Sequence, residues 1–242
     1  GSVIDTMYDG FLFLPEVGQM QSNGSTPYGT NYANDWNWMF DNIFLSNRNI
    51  AALDKTAEKV KLLLNKSDYK LKVFVTIPHM DSTLSNFGDI DGDGDSENLT
   101  IQSERIYVAK YFAQKVINKF NSMNYKNIEL CGFYWFHESI NSTDGAIAKE
   151  VNKAFDQMGV QMFWIPFYGA EGFLKGYDYG FDAVCLQPNY AFELDVSKSR
   201  LAFAANYAKQ KNMCIEMEIA YQALTDYRYF QKYMNYLSGG VK

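Results

Sequence analysis

No apolar run in this 242-residue sequence approaches the ~20 residues that a membrane-spanning helix needs, so a helical span is excluded. Excess basic charge is missing as well. Lys and Arg number 22 against 28 Asp and Glu, a net charge of −6, and the basic residues form no cluster. A surface of that kind excludes nucleic acid and anionic membranes as electrostatic partners. Cysteine is scarce. Cys131, Cys185 and Cys214 each sit inside an apolar run with no metal-type spacing between them, and they read as three buried free thiols. Histidine is scarcer still, with only His79 and His137. What the chain does have is apolar and aromatic side chains, 47% and 17% of the residues. That excludes a disordered chain and supplies one large core, so residues 1–242 are expected to form a single domain.

Short apolar runs alternate with longer amphipathic ones. The runs at 8–14, 72–78, 128–136, 162–167, 182–187 and 213–219 read as strands, being short and rich in β-branched and aromatic residues. Between them, 35–44, 50–65, 101–122, 144–158, 197–211 and 226–237 carry apolar residues three and four apart and read as helices. Alternating strand and helix predicts an α/β protein with a parallel sheet. Six such units without a glycine-rich phosphate turn favour a (β/α) TIM-like barrel, with an open α/β sheet as the alternative. A closed barrel needs eight strands. The count of six predicts a barrel incomplete at the C-terminus, a truncated one, or one with a further strand hidden within 15–48.

In a parallel barrel the chemistry belongs at the C-terminal ends of the strands. The third strand closes on GFYWFHE, 132–138, where four rings and a histidine lead to a glutamate. A buried strand accommodates the rings, but an ionised Glu138 belongs just beyond it, where a ligand would rest. The sixth, MCIEMEI, places Glu216 and Glu218 on one face by the alternation of side chains, opposite Ile215, Met217 and Ile219. Glu138 and Glu218 are therefore read as paired carboxylates, acid/base and nucleophile, of the kind that flank a glycosidic bond, with Glu216 a deeper supporting group. His79, His137, Trp164, Tyr168, Gln187, Asn189 and Tyr190 stand at or near other strand ends and are candidates to bind sugar hydroxyls and ring faces. Trp135 and Trp164 fit a core equally well. Tyr28, Tyr32, Trp36 and Trp38 belong to the same aromatic set.

A second cluster lies in DIDGDGDSENLT, 89–100. Asp89, Asp91, Asp93 and Gly94 match the first, third, fifth and sixth positions of a hand-type calcium loop, and Asp95 and Glu97 add oxygen donors. The twelfth position is Thr100 rather than the bidentate glutamate, so a full hand is not expected. A structural Ca²⁺ and a solvated acidic loop both remain open. The chemistry itself calls for no cofactor.

The stretches YDGFLFLP (8–15), FGDIDGDG (87–94), GFYWFHE (132–138), FWIPFYGA (163–170) and GFDAVCLQPNY (180–190) resemble the bacterial family known as domain of unknown function 4855. The resemblance spans most of the chain and implies a glycoside-hydrolase-like barrel. It also implies a secreted protein acting outside the cell, in the periplasm or at the cell surface. The chain begins at Gly1 and carries no signal segment of its own, so it reads as trimmed.

The expectation is a glycoside hydrolase acting on a poly- or oligosaccharide. Two alternatives stand beside it: a noncatalytic carbohydrate-binding barrel, and a metal-dependent hydrolase built on His79 and His137 with Asp81 or Glu138. A third, a structural module, would show no convergent site. Sugar, linkage, stereochemical outcome and oligomeric state are not legible in the sequence.

Overall fold

The computed structural model describes residues 5–14 and 31–240, with the side chains of 239 and 240 excepted. Among the described residues there are six strands and six α-helices, with two helices between the first two strands and none between the fourth and fifth. The strands are β1 (Gly10–Phe13), β2 (Leu71–Ile77), β3 (Ile128–Trp135), β4 (Gln161–Trp164), β5 (Ala183–Leu186) and β6 (Cys214–Ile215), and they follow chain order in a parallel sheet. The helices are α1 (Ala33–Ile43), α2 (Asn49–Leu64), α3 (Gln102–Met123), α4 (Ser142–Met158), α5 (Ser199–Lys211) and α6 (Tyr227–Gly240). The expected α/β class is therefore observed. Residues 31–43 enter and form α1, not a further strand; residues 15–30 of the same polar region lie outside the described residues.

Contacts divide the chain into two compact units, one of Gly1–Phe136 with Ile147–Met162 and one of His137–Ala146 with Phe163–Lys242. In the first, β2 is the central strand. Leu71, Val73, Val75 and Ile77 are buried, and Thr76 is buried on the other face with its hydroxyl donating to the Phe13 carbonyl. The β2–β3 register slips between Val73 and Phe74, so Cys131 is the extra residue of a bulge. The next residue, Gly132, must lack a side chain: a Cβ there would lie 2.1 Å from the Gln161 carbonyl oxygen. Over this sheet α3 buries Val108, Ala109, Phe112, Ala113, Val116 and Phe120, the stripe its spacing predicts. Trp36 of α1 is fully buried and meets Phe87 and Phe112 edge-on, at 5.5 and 5.1 Å between centroids.

In the second unit β5 pairs with β4 through Ala183–Val184 and with β6 through Cys185–Leu186. Ladder bonds carry the pairing past the strand ends. Gln187 N–H donates to the Pro166 carbonyl at 2.9 Å, and Glu216 N–H to the Leu186 carbonyl at 3.0 Å. Trp164 is fully buried and stacked on Phe181 at 5.3 Å. Helices α2, α3 and α5 all end on a left-handed asparagine, Asn65, Asn124 and Asn212, the residue that tolerates this conformation next best to glycine.

Two expectations need correcting here. The sixth strand is two residues long rather than seven, so Glu216 and Glu218 lie beyond it, outside regular secondary structure. The cysteines are free, as expected, but not buried: Cys214 is exposed and Cys131 and Cys185 are half-buried.

Candidate active site

The second unit contains the carboxylates that the sequence singled out. Its centre is the segment after β5, Gln187-Pro188-Asn189-Tyr190. Asn189 turns left-handed at φ 52°. The turn aims successive backbone N–H groups the same way, a concavity suited to an anion. That anion is Glu218, which is 4% exposed. Its carboxylate accepts from the N–H groups of Asn189, Tyr190 and Ala191 at 2.6, 2.8 and 3.3 Å, and from the Tyr236 hydroxyl of α6. Burial, then the bond to this carboxylate, pushes the Tyr236 hydroxyl far above the ordinary tyrosine range.

A buried cation secures the carbonyl side of the same segment. Lys232 of α6 donates to the carbonyls of Tyr190 and Val196 at 3.0 and 2.9 Å and to that of Glu193. It also lies 4.2 Å above the Tyr190 ring. Burial lowers the proton affinity of this ammonium. Glu218 and Lys232 together fix the chain from 189 to 196 from both sides. Charges so fully hydrogen-bonded are held in place and have little freedom to react.

Glu216 differs. The alternation places it on the face away from Ile215 and Met217, which line a 610 Å³ apolar cavity with Leu201, Ala202 and Ala205 of α5. Its Oε2 is buried and meets no hydrogen-bond partner among the described residues. Burial, the Glu218 charge and the Glu138 charge push its carboxyl up to about 7. A group so placed still holds its proton near neutrality. Glu138, three residues past β3, accepts from Gln187 Nε2 at 2.8 Å. Glu138, Glu216 and Gln187 thus form one cluster, in which Glu216 is the carboxyl that is raised.

Glu218 and Glu216, read from the sequence as a catalytic group and a deeper support, differ in their surroundings. Glu218 is the anchor of the turn, and Glu216 is the carboxyl whose Oε2 meets no hydrogen-bond partner among the described residues.

Most aromatic candidates have a structural occupation. Trp164 donates its indole N–H to the His137 carbonyl at 2.9 Å and presents no face to solvent. Trp135 is likewise core. Tyr190 is 3% exposed, and its hydroxyl accepts from Asn235. Tyr168 is half-buried beneath Arg200, 4.2 Å from its ring, with Phe173 and Tyr207 alongside. These rings build the wall rather than a stacking platform. Asn189 and His137 are half-buried, and burial lowers the proton affinity of the His137 imidazole. In the first unit Trp36 is core, Tyr32 lines a polar hollow with Asn34 and Asn86, and Tyr28 lies outside the described residues. His79 and Asp81 follow β2, where Asp81 Oδ1 accepts from the Thr83 N–H and hydroxyl at 2.9 and 2.7 Å. Tyr236 and Lys232 were missed in the sequence. Lys232 had a signal, a single lysine amid the apolar and aromatic residues of YFQKYMNY.

In the first unit the acidic loop wraps on itself. Asp89 accepts from the N–H groups of Gly92, Asp93 and Gly94, and the Gly94 bond is the chief cause holding its carboxyl below the ordinary range. Ligand oxygens of Asp89, Asp91 and Glu97 lie within 4.8 Å of one another. Burial, with repulsion from Asp91 and Asp89, raises the Glu97 carboxyl. Asp93 and Asp95 line a 290 Å³ hollow beside Glu97 without joining the triad. Tyr107 of α3 donates to Asp91, and that bond pushes its hydroxyl up to about 12. Among the described residues this triad is the one group of three or more His, Cys, Asp or Glu placed to share an ion, and neither histidine belongs to it.

Fold and site together define an α/β protein with a parallel sheet and a cluster of interacting carboxylates past its strand ends. The chain belongs to the family described as domain of unknown function (DUF4855), whose model matches residues 1–242. No curated protein and no solved structure matches it.

Proposed function

We propose that this chain is a glycoside-hydrolase-type domain of incomplete (β/α)-barrel architecture that cleaves a poly- or oligosaccharide with Glu216 and Glu138. One observation carries the reading. Glu216 is a buried carboxyl raised to about 7 beside the charge of Glu138. Glycosidic hydrolysis uses two carboxyl groups whose environments push their proton affinities apart, one donating to the leaving oxygen and the other meeting the positive charge that develops at the sugar carbon. Glu216 fits the donor and Glu138, steadied by Gln187, the anionic partner. Asn189 and His137 remain as candidates to bind hydroxyls. The reading includes a site of action outside the cell, where such polymers are met.

Release of reducing ends from a panel of polysaccharides tests it. Glu216→Gln and Glu138→Gln should each lower the rate by about 10²–10⁴-fold, the range for loss of a positioned acid or base. Equal rates in both variants and the unaltered chain would refute it. Binding without cleavage would favour the noncatalytic carbohydrate-binding alternative.

A second proposal concerns the acidic loop. The convergence of Asp89, Asp91 and Glu97 favours a structural Ca²⁺, a hard cation that takes oxygen donors and would relieve their mutual repulsion. The ion would order the loop and take no part in the chemistry.

A further inference from the structure

Cys185 and Cys214 are direct partners in the β5–β6 ladder. Residues paired across a parallel ladder carry their side chains to the same face of the sheet. Val184 and Leu186, on either side of Cys185, are buried on one face, and Cys185 turns to the other. The two thiols therefore stand on one rung and one face. Neighbouring strands lie ~4.8 Å apart, inside the ~4.4–6.8 Å that a disulfide spans between Cα atoms. Both thiols are free, Cys214 exposed and Cys185 half-buried. Burial, and after it the charge of Cys214, pushes the Cys185 thiol up to about 12, so the two sulfurs sense one another. The third cysteine, Cys131, is the bulge residue of β3 in the first unit and has no place on this rung.

We propose that Cys185 and Cys214 close a reversible disulfide across β5 and β6 when the chain meets a small-molecule disulfide such as oxidised glutathione. Exposed Cys214 reacts first. Its thiolate attacks one sulfur of the oxidant, the oxidant's S–S bond breaks, and the other half leaves as a thiolate that takes up the proton Cys214 lost. The Cys185 sulfur then attacks the Cys214 sulfur, the mixed S–S bond breaks, and the second half of the oxidant leaves with the Cys185 proton. Two protein thiols are oxidised, and one oxidant disulfide is reduced to two thiols. The second step is the slow one, since burial keeps Cys185 protonated. The bond acts where the sheet is weakest. β6 is two residues long, and only the rungs Cys185–Cys214 and Leu186–Ile215 hold it to β5. A cross-link on the first rung staples β6 in place and closes the loop that carries the Asn189 turn and α5. The proposal does not depend on glycosidase activity.

Incubation of the chain with oxidised glutathione, followed by a non-reducing digest and mass spectrometry, tests this. The expected product is a monomer that has lost two hydrogens, with the peptides of Cys185 and Cys214 joined and the Cys131 thiol still open to alkylation after denaturation. Its melting temperature should exceed that of the reduced chain by about 5–10 °C, the shift such a cross-link gives a domain of this size, and dithiothreitol should reverse it. Cys214→Ser, at an exposed position, should fold as the parent does and lose both the link and the shift. Cys131→Ser should keep both. Glutathione retained on Cys214 with Cys185 still free, Cys214 joined to Cys214 of a second chain, or three free thiols after oxidation would overturn the proposal.

Discussion

Gln187 and Glu138 are 49 positions apart in sequence, yet the amide of one donates to the carboxylate of the other at 2.8 Å. The bond ties the residue after β5 to the residue that ends GFYWFHE. A hydrogen bond to a charged acceptor contributes about 1.5–3 kcal/mol. Gln187→Leu should therefore lower the unfolding free energy by roughly that amount in urea. In a double-mutant cycle with Glu138→Gln the two changes should couple by about 1 kcal/mol or more. Strict additivity would show that the pair does not interact in solution.

Replacing Glu218 should injure the fold rather than the chemistry alone. Its removal strands three backbone N–H groups and the Tyr236 hydroxyl in a buried turn. Breaking a buried, fully bonded charge typically costs about 3–5 kcal/mol. Glu218→Ala is expected to fall in that range by urea titration, and Tyr236→Phe to cost about 1–3 kcal/mol. A Glu218→Ala protein as stable as its parent would contradict the anchoring role.

Stability should decline across mildly acidic to neutral pH, and Glu216 should be the cause. Folding raises this carboxyl from its ordinary 4.5 to about 7, so the native state binds the proton more tightly than the unfolded chain does. The contribution is fully present below pH 4.5 and is lost as the pH climbs through about 7. With a discount for partial exposure the change amounts to roughly 2 kcal/mol. Glu216→Gln should flatten that part of the profile when unfolding free energy is measured against pH. A variant with the parent's slope would assign the effect to another group.

Calcium should raise the melting temperature, and chelation should reverse the rise, because an ion that binds only the folded loop stabilises it by mass action. The effect should vanish in Asp89→Asn, since Asp89 belongs to the triad. It should survive in Asp95→Asn, which lies outside it. Equal melting with calcium and with chelator would leave a solvated acidic loop.

How far the sequence could be read depended on whether a feature was local. The stripe of α3 follows from helical geometry and is present. The length of β6 was not legible. A pattern of alternating residues continues through Ile219, but the strand ends at Ile215, with one ladder bond beyond it at Glu216. Nor did the sequence show that Glu218 fills an anion hollow, because the left-handed turn at Asn189 and the Tyr236 hydroxyl come from 29 positions before it and 18 positions after it. The aromatic set misled for a related reason. Rings at strand ends serve a core and a cleft alike, and only the packing of Trp164 on Phe181 distinguishes them.

The most direct measurement is the titration of the Glu216 carboxyl carbon by ¹³C NMR, in the parent chain and in Glu138→Gln. The account predicts a midpoint of about 7 in the parent and a lower one in the variant, where the repulsion from Glu138 is gone. A midpoint near 4.5 in both proteins would contradict it and remove the acid from the proposed pair.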